Sequence, residues 1–487
     1  MIKLIKNEII KILKNKTIYI LLALLSVIIV ANTIIGTSIY GGIMIDHTEE
    51  ARQQEKTNLT NKINELSINN KDTDEYIKTK SKLELINLMT EYPIGSWQEQ
   101  VIVKNEVKIE NLIKEINIYT YQINDAKKQN ELLNKYNKFL KTLKDNNWKE
   151  FITNEIMQIE NEIENLEKTM QKEKNAEQKQ VIQNQIEQQK FELEFLKIRL
   201  NKKITYEKSD RNTLLEEYRN QRSILETYTK EVEEYSYSEI LQYNKIKANV
   251  EELEYKLYNN IPILEEDNAR DMLNNTFEYY EVLIIFVIVI IGGNIVSEEF
   301  NKGTIKLLLV KPHKRWKILL SKVLASIIFI FILIIFITFL QFVIGGIVYG
   351  FNDYFVPLIK YDFRIGEVQQ VNVLGNVIEL LFSKLPMYLI ILSFSMAISC
   401  ITCNTPISII LSMLLYLSKH IINLKENTEV LKYLIPANWD FTKYLYGNLA
   451  EVSYLNFNFS LVVCFIGLSL ILFITFMNFN NKDIKNI

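Results

Sequence analysis

Hydrophobic and polar positions are segregated along this chain. Residues 1–45 and 277–487 hold long runs of Ile, Leu, Val and Phe, whereas residues 46–276 are rich in Glu, Lys, Gln and Asn. Apolar runs of about 20 residues can cross a bilayer as helices. The pattern predicts six membrane spans, which are Tyr19–Ile45, Glu281–Val296, Ile318–Tyr349, Pro386–Ile401, Thr405–Ile422 and Phe459–Phe479.

Two further apolar segments predict helices at the membrane surface. Residues 1–16 form a basic amphipathic helix before the first span. The following apolar run is too long for a signal peptide and lacks a cleavage site, so we expect an uncleaved first span. Residues 373–385 mix a Glu and a Lys into apolar sequence, which predicts an interfacial or re-entrant helix.

The polar region between the first two spans has a heptad pattern. Ile102, Ile109, Ile116 and Ile123 are seven residues apart, and similar spacings recur between residues 152 and 257. The pattern predicts a coiled-coil stalk of two ascending and two descending arms, each about 75 Å long if it has about 50 residues. The predicted fold is therefore all-α, with domains 1–45, 46–276 and 277–487.

Turn and cap residues predict where the helices of the stalk end. Residues 92–95 read Tyr-Pro-Ile-Gly, and Ser96 with Glu99 makes a capping box for the next helix. Residues 145–147 predict a turn, with Asn147 and Glu150 as a second box. Further breaks are expected at residues 207–210 and 260–262. A plain spacer and a specific docking site remain alternative interpretations of this stalk.

Basic residues near the spans predict the orientation. The net charge of -2 is uninformative, but residues 1–16 carry five Lys and one Glu, and residues 302–322 carry six Lys and one Arg. Positive loops stay on the cytoplasmic side. With six spans, both termini are then cytoplasmic and residues 46–276 lie outside, in a multi-pass protein of the plasma membrane.

The basic loop after the second span also contains an apolar run. Ser297 can cap a helix that begins with Glu298 and Glu299, and Pro312 can end it. The predicted helix, 298–311, would expose aliphatic side chains to water. An exposed apolar run of this kind is typical of a contact surface.

Signals for catalysis are absent from the sequence. There is no G-x-x-x-x-G-K-[ST] motif for ATP, and the three His are too scattered for a metal site or a triad. Cys400 and Cys403 form a C-x-x-C, for which a turn of membrane helix is favoured over a redox role. The chain is predicted to have no catalytic and no metal-binding residues, and to be no enzyme.

Three polar residues within the spans are candidates for lining a path. Asn32, Asn294 and Gln341 could contact a substrate, or they could hydrogen-bond between helices, which we favour. Gly292 and Gly293 permit close approach of a second helix or a kink.

The loop after the second span resembles that of the ABC-2 type permeases, the membrane subunits of ATP-binding-cassette transporters. Glu299, Gly303-Thr304, Leu308-Leu309, Pro312, Arg315 and Lys322 match the family pattern at this place. The leader helix and the six spans are also similar to the family, and together they cover roughly half of the chain.

The resemblance implies that 298–311 is a coupling helix that docks on a cytoplasmic ATPase. ATP and Mg would be bound by that partner and not by this chain. The family also implies a second permease chain, identical or related, and no nucleic acid. The residues that would form the coupling contact are Glu298, Glu299, Gly303, Thr304, Ile305, Leu308, Leu309, Pro312 and Arg315.

Two functions follow from these expectations. In the first, the chain moves an amphipathic substrate such as a peptide, a lipid or a drug, with a separate ATPase as the source of energy. In the second, ATP-driven movement at 298–311 is passed to the stalk, which acts on a partner at the cell wall. The resemblance over all six spans favours transport.

Overall fold

The computed structural model describes residues 1–40, 48–67, 71, 73–228, 234–265, 267–304, 314–421, 429–450 and 453–482. The chain divides into two compact units. One comprises Met1–Ile43 with Ile224–Ile487, and the other comprises Met44–Ser223. The sequence analysis placed domain boundaries after residues 45 and 276, whereas residues 224–276 cluster here with the unit that contains the apolar helices.

Helices account for most of both units. The first are α1 (Ile2–Lys14) and α2 (Lys16–Tyr40). The polar unit follows with α3 (Thr48–Ser67), α4 (Asp74–Thr90), α5 (Trp97–Lys104), α6 (Glu106–Tyr121), α7 (Ala126–Lys144), α8 (Trp148–Lys172), α9 (Ala176–Lys202) and α10 (Asp210–Glu226). The rest are α11 (Tyr237–Tyr258), α12 (Ala269–Asn274), α13 (Thr276–Tyr279), α14 (Glu281–Asn301), α15 (Arg315–Val348), α16 (Val373–Thr402), α17 (Thr405–Ile421), α18 (Ile435–Asn438) and α19 (Phe457–Asn481).

Five helices in the described part of the chain are long and apolar enough to cross a membrane. They are α2 through its stretch Lys16–Ile35, and α14, α15, α16 and α19 in full. The predicted span Thr405–Ile422 corresponds to α17, whose described residues end at Ile421. This fifth of the six predicted spans therefore stays a prediction.

Residues 373–385 do not form a separate interfacial helix. They are the first part of α16, which continues without interruption to Thr402 and has Pro386 in its interior. The expectation of a separate re-entrant segment was wrong. A proline removes one hydrogen bond from a helix, and neighbouring membrane helices make such an interruption tolerable.

Helix α14 lies at the centre of the apolar unit. It packs against α16 and α17, and Ile284, Ile288 and Val289 on it are completely buried. Gly292 allows α14 and α16 to approach each other closely, since a Cβ at this position would lie 2.8 Å from Cβ of Ser395 in α16. Close helix approach was one of the two interpretations that the sequence left open for this glycine.

A two-stranded hairpin is an element that the sequence analysis did not predict. Strand β1 (Leu358–Asp362) pairs antiparallel with β2 (Glu367–Val371), and Gly366 takes a left-handed φ of +71° in the connection. Helix α11 packs on β1, where Glu252 accepts a hydrogen bond from the backbone N–H of Tyr361 at 2.9 Å. The hairpin lies directly before α16.

The polar unit consists of helices that pack in succession. Helix α4 packs against α3 and α6, and α8 packs against α9. Breaks occur at the predicted residues 92–95, 145–147 and 207–210. The longest helix, α9, has 27 residues and extends about 40 Å. The described helices are thus shorter than the predicted arms, because unpredicted breaks also occur at Asn105 and at residues 122–125 and 173–175.

The predicted caps and core positions of the polar unit agree in part with the structure. The Ser96 hydroxyl accepts from the backbone N–H of Glu99, but the Glu99 carboxylate accepts from Gly95 instead of completing the box. Asn147 caps α8 through the N–H of Glu150. Of the heptad row, Ile102, Ile109 and Ile116 are buried, whereas Ile123 lies beyond the end of α6 and is 46% exposed.

Candidate functional site

The segment that the sequence assigned to coupling begins inside a membrane helix. Ser297 does not cap a new helix, as predicted, because it lies within α14 and is completely buried. Its backbone N–H donates a hydrogen bond to the hydroxyl oxygen of Ser399 in α16 at 3.0 Å. Glu298 and Glu299 therefore belong to the last turn of α14 rather than to the first turn of a coupling helix.

Gly303 and Thr304 end this helix. Gly303 adopts a φ of +67°, a conformation that glycine accepts without strain, and its N–H donates to the carbonyl of Phe300 at 3.0 Å. The Thr304 hydroxyl donates to the carbonyl of Glu299 at 3.4 Å. The other predicted contact residues of the coupling helix, Ile305, Leu308, Leu309 and Pro312, lie outside the described residues.

Four charged side chains from three helices meet beside this helix end. We call Glu8, Lys11, Glu299 and Lys322 the Glu8 cluster. The ammonium group of Lys322 lies 2.8 Å from Glu8 and 2.9 Å from Glu299. The ammonium group of Lys11 lies 2.9 Å from Glu8 and 2.6 Å from Glu299. The two acids and two bases alternate around a closed ring that connects α1, α14 and α15.

Burial makes this ring costly to disturb. Lys322 is completely buried, and Glu8 and Glu299 are less than one-tenth exposed. Burial raises the pKa of Glu8, but attraction to Lys322 and hydrogen bonds from Lys322 and Lys11 outweigh it and hold the pKa below its ordinary value. Burial likewise lowers the pKa of Lys11, and its hydrogen bonds to Glu299 and Glu8 reverse the direction and raise it.

The lysines also offset an unfavourable helix end. Carboxylates at a helix C-terminus oppose the helix dipole, and α14 ends with Glu298 and Glu299. Glu298 pairs with Lys302 four residues later, on the exposed surface. Glu299 instead depends on Lys11 and Lys322, so the leader helix α1 and the helix α15 stabilise the last turn of α14.

Arg315 and Lys482 join the same ends of other helices. The Arg315 guanidinium, at the start of α15, donates to the carbonyls of Asn480 and Lys482 at 2.9 and 3.0 Å. The Lys482 ammonium group donates to the carbonyls of Cys400 and Ile401 at 2.7 and 3.0 Å. Cations at the C-terminal carbonyls of helices are favourable. Arg315 thus holds the end of α19, and Lys482 holds the end of α16.

The C-x-x-C pair has no disulfide. Cys400 is buried inside α16, and Cys403 caps that helix with a left-handed φ of 51°. The sulfur of Cys403 accepts a hydrogen bond from Lys482 at 2.8 Å. The two cysteines thus belong to the end of an apolar helix, which is the interpretation that the sequence analysis favoured.

A cavity of about 780 Å³ adjoins the Glu8 cluster. It lies between the α1–α2 junction and the end of α14, and Glu8, Lys11 and Glu299 line it. Asn294, one of the three residues suggested for a substrate path, lines this cavity as well.

The other two path candidates belong to a hydrogen-bonded network between helices. The Asn32 amide donates to the Tyr280 hydroxyl at 3.3 Å, and that hydroxyl donates to Gln341 at 3.2 Å. The Gln341 amide donates to Thr33 at 3.5 Å. Asn32 and Gln341 thus join α2 and α15 through Tyr280, which immediately precedes α14. This is the arrangement that the sequence analysis favoured for them.

A second group of charges lies at the opposite end of α14. We call Glu281, Lys384, Lys419 and Asp440 the Glu281 cluster. The Lys384 ammonium group lies 2.6 Å from both Glu281 and Asp440. Lys419 also pairs with Glu281. The hydroxyl of Tyr416 donates a hydrogen bond to the Glu281 carboxylate at 2.8 Å. The cluster connects α14, α16 and α17 with the segment after α18.

Sequence reasoning did not identify either cluster as a unit. Lys322 and Lys384 gave a signal, because each is a single cation in an apolar run and a charge inside a membrane helix needs a partner. The sequence does not indicate which residue is that partner, since Glu8 and Lys322 are 314 residues apart. Among the described residues, no group of His, Cys, Asp and Glu is arranged to hold a metal ion.

The profile of the family described as "Protein of unknown function (DUF2705)" matches residues 238–485. The "Uncharacterized protein YhcI" of Bacillus subtilis (strain 168) is 26% identical over 235 residues, which are 48% of this chain and 74% of that protein. The "Uncharacterized membrane protein YdbK" of the same organism is 25% identical over 207 residues, which are 42% of this chain and 79% of that protein.

No solved structure matches this chain. The five long apolar helices, together with similarity to a protein named as a membrane protein, indicate a multi-pass membrane protein. The family match covers the hairpin and the helices from α11 onward, but it begins after the polar unit and after α1. Glu8 and Lys11 therefore lie outside the matched region, although they pair with Glu299 and Lys322 inside it.

Proposed function

We propose a function for this chain, which belongs to the DUF2705 family of proteins of unknown function: it is the permease subunit of an ATP-binding-cassette transporter. It moves an amphipathic substrate across or out of the membrane, and a separate ATPase subunit supplies the energy. The chain has six spans, cytoplasmic termini and an outer stalk. It is not itself an enzyme, and the partner binds ATP and Mg.

The Glu8 cluster is the observation that supports this proposal most strongly. A coupling segment has to pass a displacement to the spans, and the segment from Glu298 to Thr304 is continuous with α14. Its last turn is bound to α1 and α15 through a ring of short ion pairs. A displacement applied at this place therefore acts on three helices together, as power transmission from an ATPase requires.

The apolar run 305–310 supplies the contact surface in this proposal. In it, Ile305, Leu308 and Leu309 enter a groove on the ATPase. Binding of this type is dominated by a few buried apolar anchors. Removing the three side chains should therefore affect binding more than removing any nearby charge.

The test uses the full-length chain, purified from its native cells together with any ATP-binding-cassette ATPase that co-purifies with it. Ile305, Leu308 and Leu309 are changed together to Ala, and Lys306→Ala serves as a matched control within the same segment. We expect the triple variant to lose co-purification of the ATPase or stimulation of ATP hydrolysis, while the control keeps both. Unchanged co-purification and hydrolysis in the triple variant would refute the proposal.

Assembly provides an independent test. Each chain offers one coupling segment, and ATP-binding-cassette ATPases work as dimers. We therefore expect two permease chains, identical or related, in each functional complex. The mass of the purified complex decides this point, and a single permease chain in an active complex would contradict it.

Force transmission to a wall-side partner is the second candidate function. The observation that favours it is the compact unit Met44–Ser223, which has its own buried core. Efflux measured with a hydrolysis-deficient ATPase separates the two functions. Loss of efflux supports transport, whereas an unchanged substrate distribution with loss of a cell-wall phenotype supports transmission.

A further inference from the structure

Two neighbouring cavities lie along α16 and α19. The first has a volume of about 530 Å³ and polar residues on its wall, among them Arg364, Glu379 and Tyr446. The second has a volume of about 370 Å³ and an almost wholly apolar wall. Ser383, Phe441 and Phe457 line both cavities, so the two are adjacent, and we call them together the cleft, with a polar and an apolar end.

The apolar end lies between two membrane-spanning helices. Pro386 and Leu389 line it from α16, and Leu461, Phe465 and Leu468 line it from α19. Leu461 and Phe465 are largely exposed at its edge. Inside a bilayer a groove of this kind is filled by a hydrocarbon chain. Lipid tails are as apolar as these side chains, so the groove contributes packing, and selectivity has to come from the polar end.

Arg364 places a largely exposed guanidinium group, paired with the Asp362 carboxylate, at the polar end. Its Nε and Nη2 atoms bind the buried carboxylate of Asp362, which fixes the side chain. Its Nη1 atom has no hydrogen-bond partner in the described part of the chain. Gly447 allows the close packing around it, since a Cβ there would lie 2.8 Å from Cγ of Arg364. A planar guanidinium held in this way is suited to a phosphate.

We propose that this cleft binds a single-chain phospholipid, with its acyl chain between α16 and α19 and its phosphate at Arg364. The volume of the apolar end is near the lower limit of ordinary ligand pockets, about 300 Å³, which favours one chain over two. Glu379 gives the polar end a negative group, so a zwitterionic head that also carries an ammonium group fits better than a purely anionic one. That the bound lipid is also a transported substrate rests on the proposed transport function. The binding of the lipid does not.

The binding is tested with the full-length protein in lipid nanodiscs. The probe is a lysophosphatidylcholine with a photoactivatable group in its acyl chain. We expect labelling of peptides that contain residues 386–390 and 461–468, and competition by unlabelled lysophosphatidylcholine. Leu468→Trp fills the apolar end and should abolish the competed labelling. The matched control is Leu470→Trp on the same helix, because Leu470 is exposed and does not line the cleft.

A second pair of variants tests the polar end. Arg364→Gln should weaken competition by lysophosphatidylcholine about tenfold, since it removes a charge-assisted hydrogen bond. Competition by a monoacylglycerol, which has no phosphate, should be unchanged. Lys360→Gln, in the preceding strand and outside the cleft, should affect neither competitor.

Several outcomes would overturn the proposal. Labelling that does not respond to competition would mean ordinary contact with bulk lipid. If Leu468→Trp and Leu470→Trp reduced the competed labelling equally, the apolar end would be excluded as the binding site. A loss of dimer mass in Leu468→Trp would assign the groove to a second copy of the chain. Equal effects of Arg364→Gln on both competitors would exclude the phosphate contact. The assay contains no ATPase and no nucleotide, so its failure leaves the proposed coupling untouched.

Discussion

Lys322 and Glu8 are 314 residues apart in the sequence, and 2.8 Å separates the ammonium nitrogen of one from a carboxylate oxygen of the other. Lys322 also donates to the carbonyl of Ile295 at 3.0 Å. A completely buried ammonium group thus has three acceptors, two of them charged. The pairing fixes the leader helix α1 against α14 and α15.

Lys322→Met is the first test of this arrangement. The variant leaves two buried acids, Glu8 and Glu299, with Lys11 as their common partner. Removing one member of a buried ion pair costs about 3–5 kcal/mol, because the remaining charge has no compensation. We expect a large fall in the unfolding temperature of the purified protein in detergent, with lower abundance in the membrane.

The control for this variant restores charge balance without restoring the lysine. Glu8→Gln combined with Lys322→Met leaves Glu299 with Lys11, and we expect much of the lost stability to return. Lys3→Met, on the exposed face of the same leader helix, should have little effect. Equal stabilities of the single and double variants would contradict a role for charge balance.

Gly292→Ala tests the contact between α14 and α16. The new methyl group would meet Cβ of Ser395 at 2.8 Å and the carbonyl oxygen of Leu392 at 3.0 Å. Overpacking of this kind costs about 1–3 kcal/mol. The matched control is Gly375→Ala in α16, where a Cβ has nothing within 4 Å. It should be neutral or slightly stabilising in a thermal melt, and a similar loss in both variants would exclude close packing as the cause.

Ile109→Asp tests the core of the polar unit. Ile109 is 5% exposed, whereas Ile123, two heptads later, is 46% exposed. A carboxylate buried without a partner costs several kcal/mol, about 3 or more, and a surface change costs about 0.5 at most. We expect the isolated segment 44–223 to be helical by circular dichroism, to melt much earlier with Ile109→Asp, and to be nearly unchanged with Ile123→Asp.

The outcome of this comparison also bears on the architecture. Lys108→Asp, next to Ile109 but on an exposed position, separates the effect of burial from the effect of a negative charge. If the isolated segment is not helical, the unit is not self-contained. If Ile123→Asp is as damaging as Ile109→Asp, the heptad row extends further than the structure indicates.

Glu155→Gln gives the polar unit a predictable pH dependence. Burial raises the pKa of Glu155 above the ordinary value of 4.5, and the hydrogen bond from Tyr206 and the charges of Lys104, Lys108 and Arg199 oppose this only in part. A raised pKa adds stability below the unfolded value, and that stability is lost as the pH rises through the folded pKa. The wild type should therefore lose stability relative to Glu155→Gln as the pH increases above about 4.5.

The measurement is the unfolding temperature of both proteins across this pH range. Gln keeps an acceptor for the Tyr206 hydroxyl, which lies 3.0 Å from the carboxylate. We expect the two curves to coincide in acid and to separate toward neutral pH, with the variant the more stable. A wild type that is more stable at neutral pH would mean that attraction to the neighbouring cations outweighs burial.

The apolar helices were predictable because their signal is local. A run of apolar residues gives the position of a membrane helix without reference to any other part of the chain, and α14, α15 and α19 follow the predicted spans. The buried heptad positions Ile102 and Ile109 were found in the same way, from spacing alone.

The errors arose where distant residues decide the local structure. Ser297 has the sequence of a cap, but Ser399 and Thr405 contact it from other helices, and α14 continues past it. Residues 373–385 contain charges that predict an interface, and the Glu281 cluster provides Lys384 with partners inside the protein. Periodicity carries no information on such partners.

Helix α14 carries one charge cluster at each end. Glu281 and Glu299 are 18 residues apart, which corresponds to about 27 Å along a helix. A rotation of this helix about its axis would alter the ion-pair distances of both clusters at once, because the helix is uninterrupted between them. The two clusters would therefore have to rearrange together.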